Sequence, residues 1–137
     1  MAVQERKIPA PEPNPETRPF WDAAALGRLM IGTCRSCGKP HYYPRAICPL
    51  CGSDATELVQ ASGRGAIYSY SVMRRVPVPF ALAYVRLDEG VTMLTNIVDC
   101  DLDAIRIGQR VRVVFKVSEG GPPVPMFAPA EPSPRST

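Results

Sequence analysis

A mainly β chain, built as a short amino-terminal helix, a four-cysteine metal ribbon and a small β-barrel, is what the sequence predicts, and three observations carry that prediction. Two Cys-x2-Cys pairs, Cys34/Cys37 and Cys48/Cys51, stand ten residues apart. Beyond Gly65 the chain runs in strand-length stretches that alternate apolar and polar residues. Between the two lies Ser62-Gly63-Arg64-Gly65, a breaker cluster that divides the chain into two units. A length of 137 residues suits this division, since it allows a metal module joined to one compact domain of about 60 to 80 residues.

The first 16 residues read as an extended arm, because Pro9, Pro11, Pro13 and Pro15 recur at every second position with no apolar periodicity. Thr17 is positioned to cap a helix whose first turn holds Pro19. Phe20, Trp21, Ala24 and Ala25 would form its apolar face and Gly27 would end it. Leu29 to Thr33 reads as a strand entering the first cysteine pair, and Pro40-His41-Tyr42-Tyr43-Pro44 as a strand leaving it. Helix and ribbon are thus expected over residues 17–61.

In the second unit Tyr68, Tyr70 and Val72 alternate with Ser69, Ser71 and Met73, and Phe80 to Leu87 is rich in residues that favour pleated surfaces. Asp88-Glu89-Gly90 reads as a hairpin turn into a strand from Val91 to Val98. The polar stretch from Asp99 to Ile107 suits a helical turn. Val111, Val113, Phe115 and Val117 then alternate with Arg112, Val114 and Lys116, the clearest period-two signal in the chain. A short edge strand is expected around Val124 to Phe127, because flanking prolines are tolerated at sheet edges. Four or five strands in about 65 residues favour closure into a barrel, which hides strand edges. The barrel is expected over residues 62–128, with a flexible tail over 129–137.

The cysteines carry the strongest chemical signal. A two-residue gap lets one tight turn present two sulfurs to the same ion, and four thiolates complete the tetrahedron of a structural Zn2+ site. Gly38 and Gly52, directly after the second cysteine of each pair, suit a backbone position that commonly needs a positive φ. Cys34, Cys37, Cys48 and Cys51 are therefore the expected metal ligands. Iron in the same cage would make a one-electron centre, so spacing alone leaves iron open. The continuation into a second domain, which a simple electron carrier does not need, favours zinc. With four sulfur ligands zinc keeps no open position for water, which argues against catalysis at the ion.

Other chemistry is sparse. His41 is the single histidine, and there is no nucleophile elbow, phosphate loop or dinucleotide fingerprint. A Cys100–His41 thiolate pair is outweighed by a packed cysteine and a histidine packed beside the metal site. Asp88, Glu89, Asp99, Asp101 and Asp103 fall in predicted turns, where local hydrogen bonding accounts for them better than a cation site. Arg74 and Arg75, with Arg64, Arg86 and Arg112, either line a phosphate-binding surface or are scattered solvated residues. Tyr68 and Tyr70 would share a strand face able to stack a flat ring, with core filling the stronger reading.

The net charge of +3 is too small to demand a polyanionic partner, although 13 of the 16 basic residues are arginine. The amino terminus shows no apolar run of a secretory signal, and no stretch approaches the roughly 18 apolar residues of a membrane span. A cytoplasmic protein with no membrane contact is expected, in whose reducing surroundings paired cysteines read as metal ligands.

Arm, helix, four-cysteine ribbon and barrel, in this order, resemble the acyl-CoA-associated DUF35 family, in which a rubredoxin-like zinc ribbon precedes an OB-fold. The matching residues are Pro19-Phe20-Trp21, Gly27-Arg28-Leu29, the two cysteine knuckles, Tyr43-Pro44-Arg45, Gly63-x-Gly65, Leu87-Asp88-Glu89-Gly90 and Ile107-Gly108. The resemblance covers residues 17–117. It implies a non-catalytic subunit of a hetero-oligomer that docks on a thiolase-like enzyme and helps bind or channel acyl-CoA during condensation, acyl transfer or retro-aldol cleavage. Under it, Arg64, Arg74, Arg75, Tyr68 and Tyr70 become candidates for the acyl-CoA or partner surface. The proline-rich ends, residues 1–16 and 118–137, would wrap that partner. Two rival readings come from the modules themselves. Zinc ribbons and OB-folds both occur in single-stranded nucleic-acid-binding proteins, which the low net charge disfavours, and an iron-filled ribbon would be a rubredoxin-like electron carrier.

Overall fold

The computed structural model describes residues 7–130; positions 1–6 of the arm and 131–137 of the tail lie outside the described residues. The arm forms no helix or strand from Lys7 to Asn14. It lies against the loop beyond residue 117, where Ile8 O accepts a hydrogen bond from Glu119 N at 2.9 Å.

Helix α1 spans Arg18–Ala24, with Thr17 as its cap residue and a proline in its first turn. The Thr17 hydroxyl does not cap it. That oxygen accepts a hydrogen bond from Asn14 N at 3.0 Å, and Thr17 N donates to Asn14 Oδ1 at 2.9 Å, so an Asn-Thr turn before the helix takes over the usual bond. Phe20, Trp21 and Ala24 are buried as expected, whereas Ala25 is exposed because the helix ends one residue before it.

Three short strands make the ribbon sheet: β1 (Met30–Cys34), β2 (Pro40–His41) and β3 (Thr56–Gln60), in the order β2-β1-β3. The strand expected to run to Pro44 stops at His41. Tyr42 and Tyr43 pack instead around Phe20, with ring centroids 5.9 and 5.4 Å from it, and Trp21 Nε1 donates to the Tyr43 hydroxyl at 3.2 Å.

The second unit is a closed barrel of β4 (Arg64–Met73), β5 (Phe80–Leu87), β6 (Thr92–Ile97), β7 (Arg110–Lys116) and β8 (Val124–Pro129), ordered β4-β5-β6-β8-β7 with β7 returning to β4. This is the five-stranded barrel of an OB-fold. The strand around Val124 is not an edge. Phe127 lies opposite Val113 of β7 and, in parallel, opposite Ile97 of β6, so β8 closes the barrel and is buried from Pro125 to Ala128. Its prolines are accommodated because only one register pair joins it to β6, leaving few ladder bonds for a proline to forfeit.

Helix, ribbon and barrel share one core, in which Phe20, Trp21, Leu29 and Ile31 pack with Ile67, Val85, Met93 and Phe127. The alternation from Val111 fades along β7: Val111 is fully buried, Val113 and Phe115 are half-buried, and Val117 is 83% exposed beyond the strand end. Close strand approach explains the glycines at the barrel entrance. A Cβ on Gly65 would stand 2.4 Å from the Arg86 carbonyl oxygen, a backbone atom that cannot move aside alone. Gly65→Ala is therefore expected to cost about 1–3 kcal/mol of stability in a urea melt, and an unchanged midpoint would contradict this β4–β5 spacing.

Candidate metal centre and barrel surface

The two cysteine turns face each other across the ribbon. Cys34 ends β1, and Gly38 N donates to Cys34 O at 2.8 Å, closing the first turn; Gly52 N donates to Cys48 O at 2.9 Å, closing the second. Gly38 and Gly52 have φ of 73° and 80° with open space where a Cβ would be, so backbone conformation and not crowding calls for glycine there.

All four Sγ atoms lie within 4.8 Å of one another. The Cys34–Cys51 and Cys37–Cys48 pairs are 3.6 and 3.8 Å apart. A disulfide would need about 2.05 Å, whereas a tetrahedron with metal–sulfur bonds of about 2.3 Å puts its sulfurs roughly 3.8 Å apart. The residues therefore fit a tetrahedral thiolate-bound metal, and this is the one cluster of its kind among the described residues.

Backbone hydrogen bonds prepare the sulfurs unequally. Hydrogen bonding from the Cys37 backbone pulls the Cys34 thiol down to about 7 against the opposing effect of burial. Leu50 N, 3.4 Å from Cys48 Sγ, lowers Cys48 in the same way. At Cys51 the Ser53 backbone lowers the thiol, but desolvation and the three neighbouring sulfurs outweigh it and push it up to about 12.

His41 packs beside this centre. It is 8% exposed, lies opposite Gly32, and covers the space where a Gly32 side chain would stand. Its Nδ1 is 3.0 Å from Tyr43 O, which can only accept, so the proton is on Nδ1 and Nε2 remains without a partner. Cys100 follows β6 in the barrel and packs against its core, and burial, then Asp101 and Asp99, push its thiol up, the opposite of an activated nucleophile. Most of the turn carboxylates are engaged by groups distant in sequence, and only Asp101 makes the local hydrogen bond expected of a turn. Asp99 pairs with Lys116 at 2.8 Å, Asp103 with Arg74 at 2.6 Å and Asp88 with Arg110 at 3.0 Å. Asp101 Oδ1 accepts from Asp103 N, and Glu89 from Ser62 N.

The five surface candidates are not gathered at one place. Arg64 opens β4 and Tyr68 and Tyr70 stand along it, whereas Arg74 and Arg75 lie beyond its far end, roughly 30 Å away along an extended strand. Tyr68 is 61% and Tyr70 39% exposed, so neither fills the core. Nor do they share a face by simple alternation. A register shift between Ile67 and Ser69 makes Tyr68 an extra residue, and Tyr70 lies opposite buried Ala83.

A surface not singled out from the sequence is more prominent. Tyr84 of β5 and Leu94 of β6 are directly paired on the outside of the barrel and are 47% and 54% exposed. Beside them is a cleft of about 240 Å³ between the barrel and the α1–ribbon aromatics, lined by Trp21, Tyr42, Leu82, Leu94 and Met126 among others. The signal was present in β5, where apolar residues occupy both phases: Ala81, Ala83, Val85 and Leu87 face inward, and Leu82 and Tyr84 outward. Among the described residues no helix is long and apolar enough to cross a membrane.

Comparison with known proteins agrees with this anatomy. The family model described as ChsH2, rubredoxin-like zinc ribbon domain, matches residues 21–57, and that of the ChsH2 C-terminal OB-fold domain matches residues 58–116. A DUF35 domain-containing scaffold protein of Methanothermobacter thermautotrophicus is 41% identical over 101 residues, covering 68% of this chain and 76% of the relative. A probable enoyl-CoA hydratase alpha subunit of Thermomonospora curvata is 35% identical over 141 residues, which is 96% of this chain but 44% of that longer protein. Among solved structures, a chain of the Ltp2-ChsH2(DUF35) aldolase superposes with a TM-score of 0.78 at 33% identity, over 88% of this chain and 99% of that one. On this combination of ribbon, barrel and sequence identity, the chain belongs to the DUF35 family.

Proposed function

We propose that this chain is a non-catalytic accessory subunit that docks on a thiolase-like enzyme in a hetero-oligomer and helps to hold or channel that enzyme's acyl-CoA. The observation that carries the reading is the exposed Tyr84–Leu94 pair and the apolar cleft beside it, a continuous surface of the kind that marks a protein interface on a small domain. The names of relatives support it: one is a scaffold protein, one an alpha subunit of a larger hydratase, and one a component of an aldolase. The chemistry also supports it. Cys34, Cys37, Cys48 and Cys51 would bind Zn2+ as a structural cross-link that leaves no position for substrate, and outside that cage the Cys100 thiol is pushed up and His41 is buried.

The test begins with tagged protein purified from its native cells after nuclease treatment, with metal content and co-purifying chains determined. A stoichiometric thiolase-like partner and about one zinc per protomer are expected. Leu94→Glu should leave the fold within about 0.5 kcal/mol of the parent, since the side chain is largely exposed. It should weaken capture of the partner by about tenfold or more, because a carboxylate would be desolvated in an apolar contact. Undiminished capture would exclude this surface, and full acyl-CoA condensing or cleaving activity in the isolated chain would exclude the accessory role.

A further inference from the structure

The barrel brings together arginines that are scattered in the sequence. Arg64 of β4 lies directly opposite Arg112 of β7. Two residues further on, Ala66 of β4 lies opposite Arg86 of β5 on one side and Arg110 of β7 on the other. Gly65, Leu87 and Val111 of the same strands are buried, so Arg64, Arg86, Arg110 and Arg112 project from the outer face, and all four are exposed. Half-buried Ala66 forms a low floor between them.

Two like charges directly opposite on paired strands repel, with Cβ atoms about 5 Å apart. A neighbouring carboxylate would normally relieve this, but the two nearby acidic side chains are engaged elsewhere. Asp88 binds Arg110 through both oxygens, at 3.0 and 3.1 Å, and Glu89 accepts from Ser62 N at 2.7 Å. Arg64, Arg86 and Arg112 have no ion pair among the described residues.

The backbone beneath them is fixed. Arg64 N donates to Ser62 Oγ at 3.2 Å, Arg64 O accepts from Asp88 N at 2.9 Å, and Gly63 O accepts from Val113 N at 2.7 Å. Glycines on both sides of Arg64 let the three strands close up: a Cβ on Gly63 would meet Val113 Cγ1 at 2.6 Å, and one on Gly65 the Arg86 carbonyl.

We propose that this face binds the phosphate groups of a small phosphorylated ligand, with Arg64, Arg86 and Arg112 as its anion-binding residues. Guanidinium groups match phosphate oxygens in bidentate fashion, and three of them around one floor suit a diphosphate better than a single charge. The identity of the carrier rests on the accessory-subunit reading, under which the ligand is the phosphorylated nucleotide end of coenzyme A.

The test titrates full-length protein with inorganic pyrophosphate, coenzyme A and a single-stranded oligothymidylate at near-physiological salt, monitored by amide NMR shifts and thermal melting. Saturable shifts centred on β4, β5 and β7 are expected for pyrophosphate and coenzyme A. Arg64→Gln and Arg112→Gln should each weaken both ligands about tenfold, while Arg28→Gln, at an exposed position after α1, leaves binding unchanged. Ligand-free Arg112→Gln should also melt at the same temperature as the parent or higher at low salt, because the opposed pair is relieved. Pyrophosphate that gives no saturable shift, or binds the variants equally, overturns the site. An oligonucleotide that binds this face more tightly than coenzyme A also overturns the proposal. Capture of a thiolase-like partner by Arg64→Gln reports separately on the accessory role, which survives loss of the phosphate site if capture persists.

Discussion

A Cys48→Ser variant is expected to emerge from purification with much less than one metal per protomer and to melt roughly 10 to 20 °C below the parent, and chelator should lower the parent by a similar amount while leaving the variant unmoved. Tyr42 and Tyr43 anchor the middle of the segment between β1 and β3 on Phe20, but little besides the cysteine cage holds its two turns. Strand β2 has two residues, and the side chains of β3 alternate between half-buried and exposed with none fully buried. Cys48 is 2% exposed, and its turn is tied by Cys48 N to Ser53 O at 2.7 Å, so a serine there would put a harder, neutral oxygen into a cage built for sulfur. The damage should spread, because Leu29 and Ile31 at the foot of the ribbon belong to the same core as the barrel. Metal analysis with melting curves in the presence and absence of chelator decides it. A variant with full metal and an unshifted melt would mean that the four sulfurs do not share an ion.

The metal half of the molecule was legible because its chemistry is local: two turns, each set by a two-residue spacing and a glycine, need only meet. The positive φ of Gly38 and Gly52 and the convergence of the sulfurs are consequences of those ten positions. The strands of the barrel were legible too, with Phe80–Leu87 falling where the run of residues that favour pleated surfaces put it. Pairing across strands was not. Arg64 and Arg112 are 48 positions apart and become neighbours only through closure of β4 on β7, so sequence reasoning could name Arg64, Arg86 and Arg112 together with Arg74 and Arg75 but could not tell which of the five meet. The bulge at Tyr68 defeated the period-two argument for Tyr68 and Tyr70, since one extra residue reverses the phase of every later position in the strand. The prolines around Val124 suggested an edge, a rule that holds for open sheets and loses force where closure leaves only one register pair to the neighbouring strand.

These differences bear on function, because surfaces assembled by long-range pairing are the ones a partner or ligand meets. The ribbon contributes rigidity, and with α1 it forms one wall of the cleft through Tyr42 and Trp21. The barrel contributes the other wall, the Tyr84–Leu94 pair and the arginine face. The apolar surface and the arginine face share β5, where Tyr84 and Arg86 are two residues apart on the outward phase. A ligand with a phosphorylated head and a long, less polar arm could therefore lie across β5 with its arm directed towards the cleft. This juxtaposition is what the proposed acyl-CoA role requires, and it places Arg86, of the three arginines, nearest the docking pair.

Closure itself can be tested at one residue. Phe127→Ala is expected to cost about 3–5 kcal/mol in a denaturant melt, a large part of the stability of a domain this size. Phe127 is fully buried, lies opposite Val113 on one side and Ile97 on the other, and accepts Val98 N at its carbonyl at 2.8 Å. Its side chain fills the seam where β6 and β8 are joined by a single register pair, so packing must supply what few ladder bonds do not. Val117→Ala makes the informative contrast. Simple alternation gives Val117 the same inward phase as Val111, yet it is 83% exposed, and its truncation should change stability by no more than about 0.5 kcal/mol. Metal content should be unaffected in both, because neither residue touches the cysteine turns. A large cost for Val117 with a small one for Phe127 would mean that β7 and β8 pair in another register, and the arginine face, which depends on β7 lying against β4, would be lost with it.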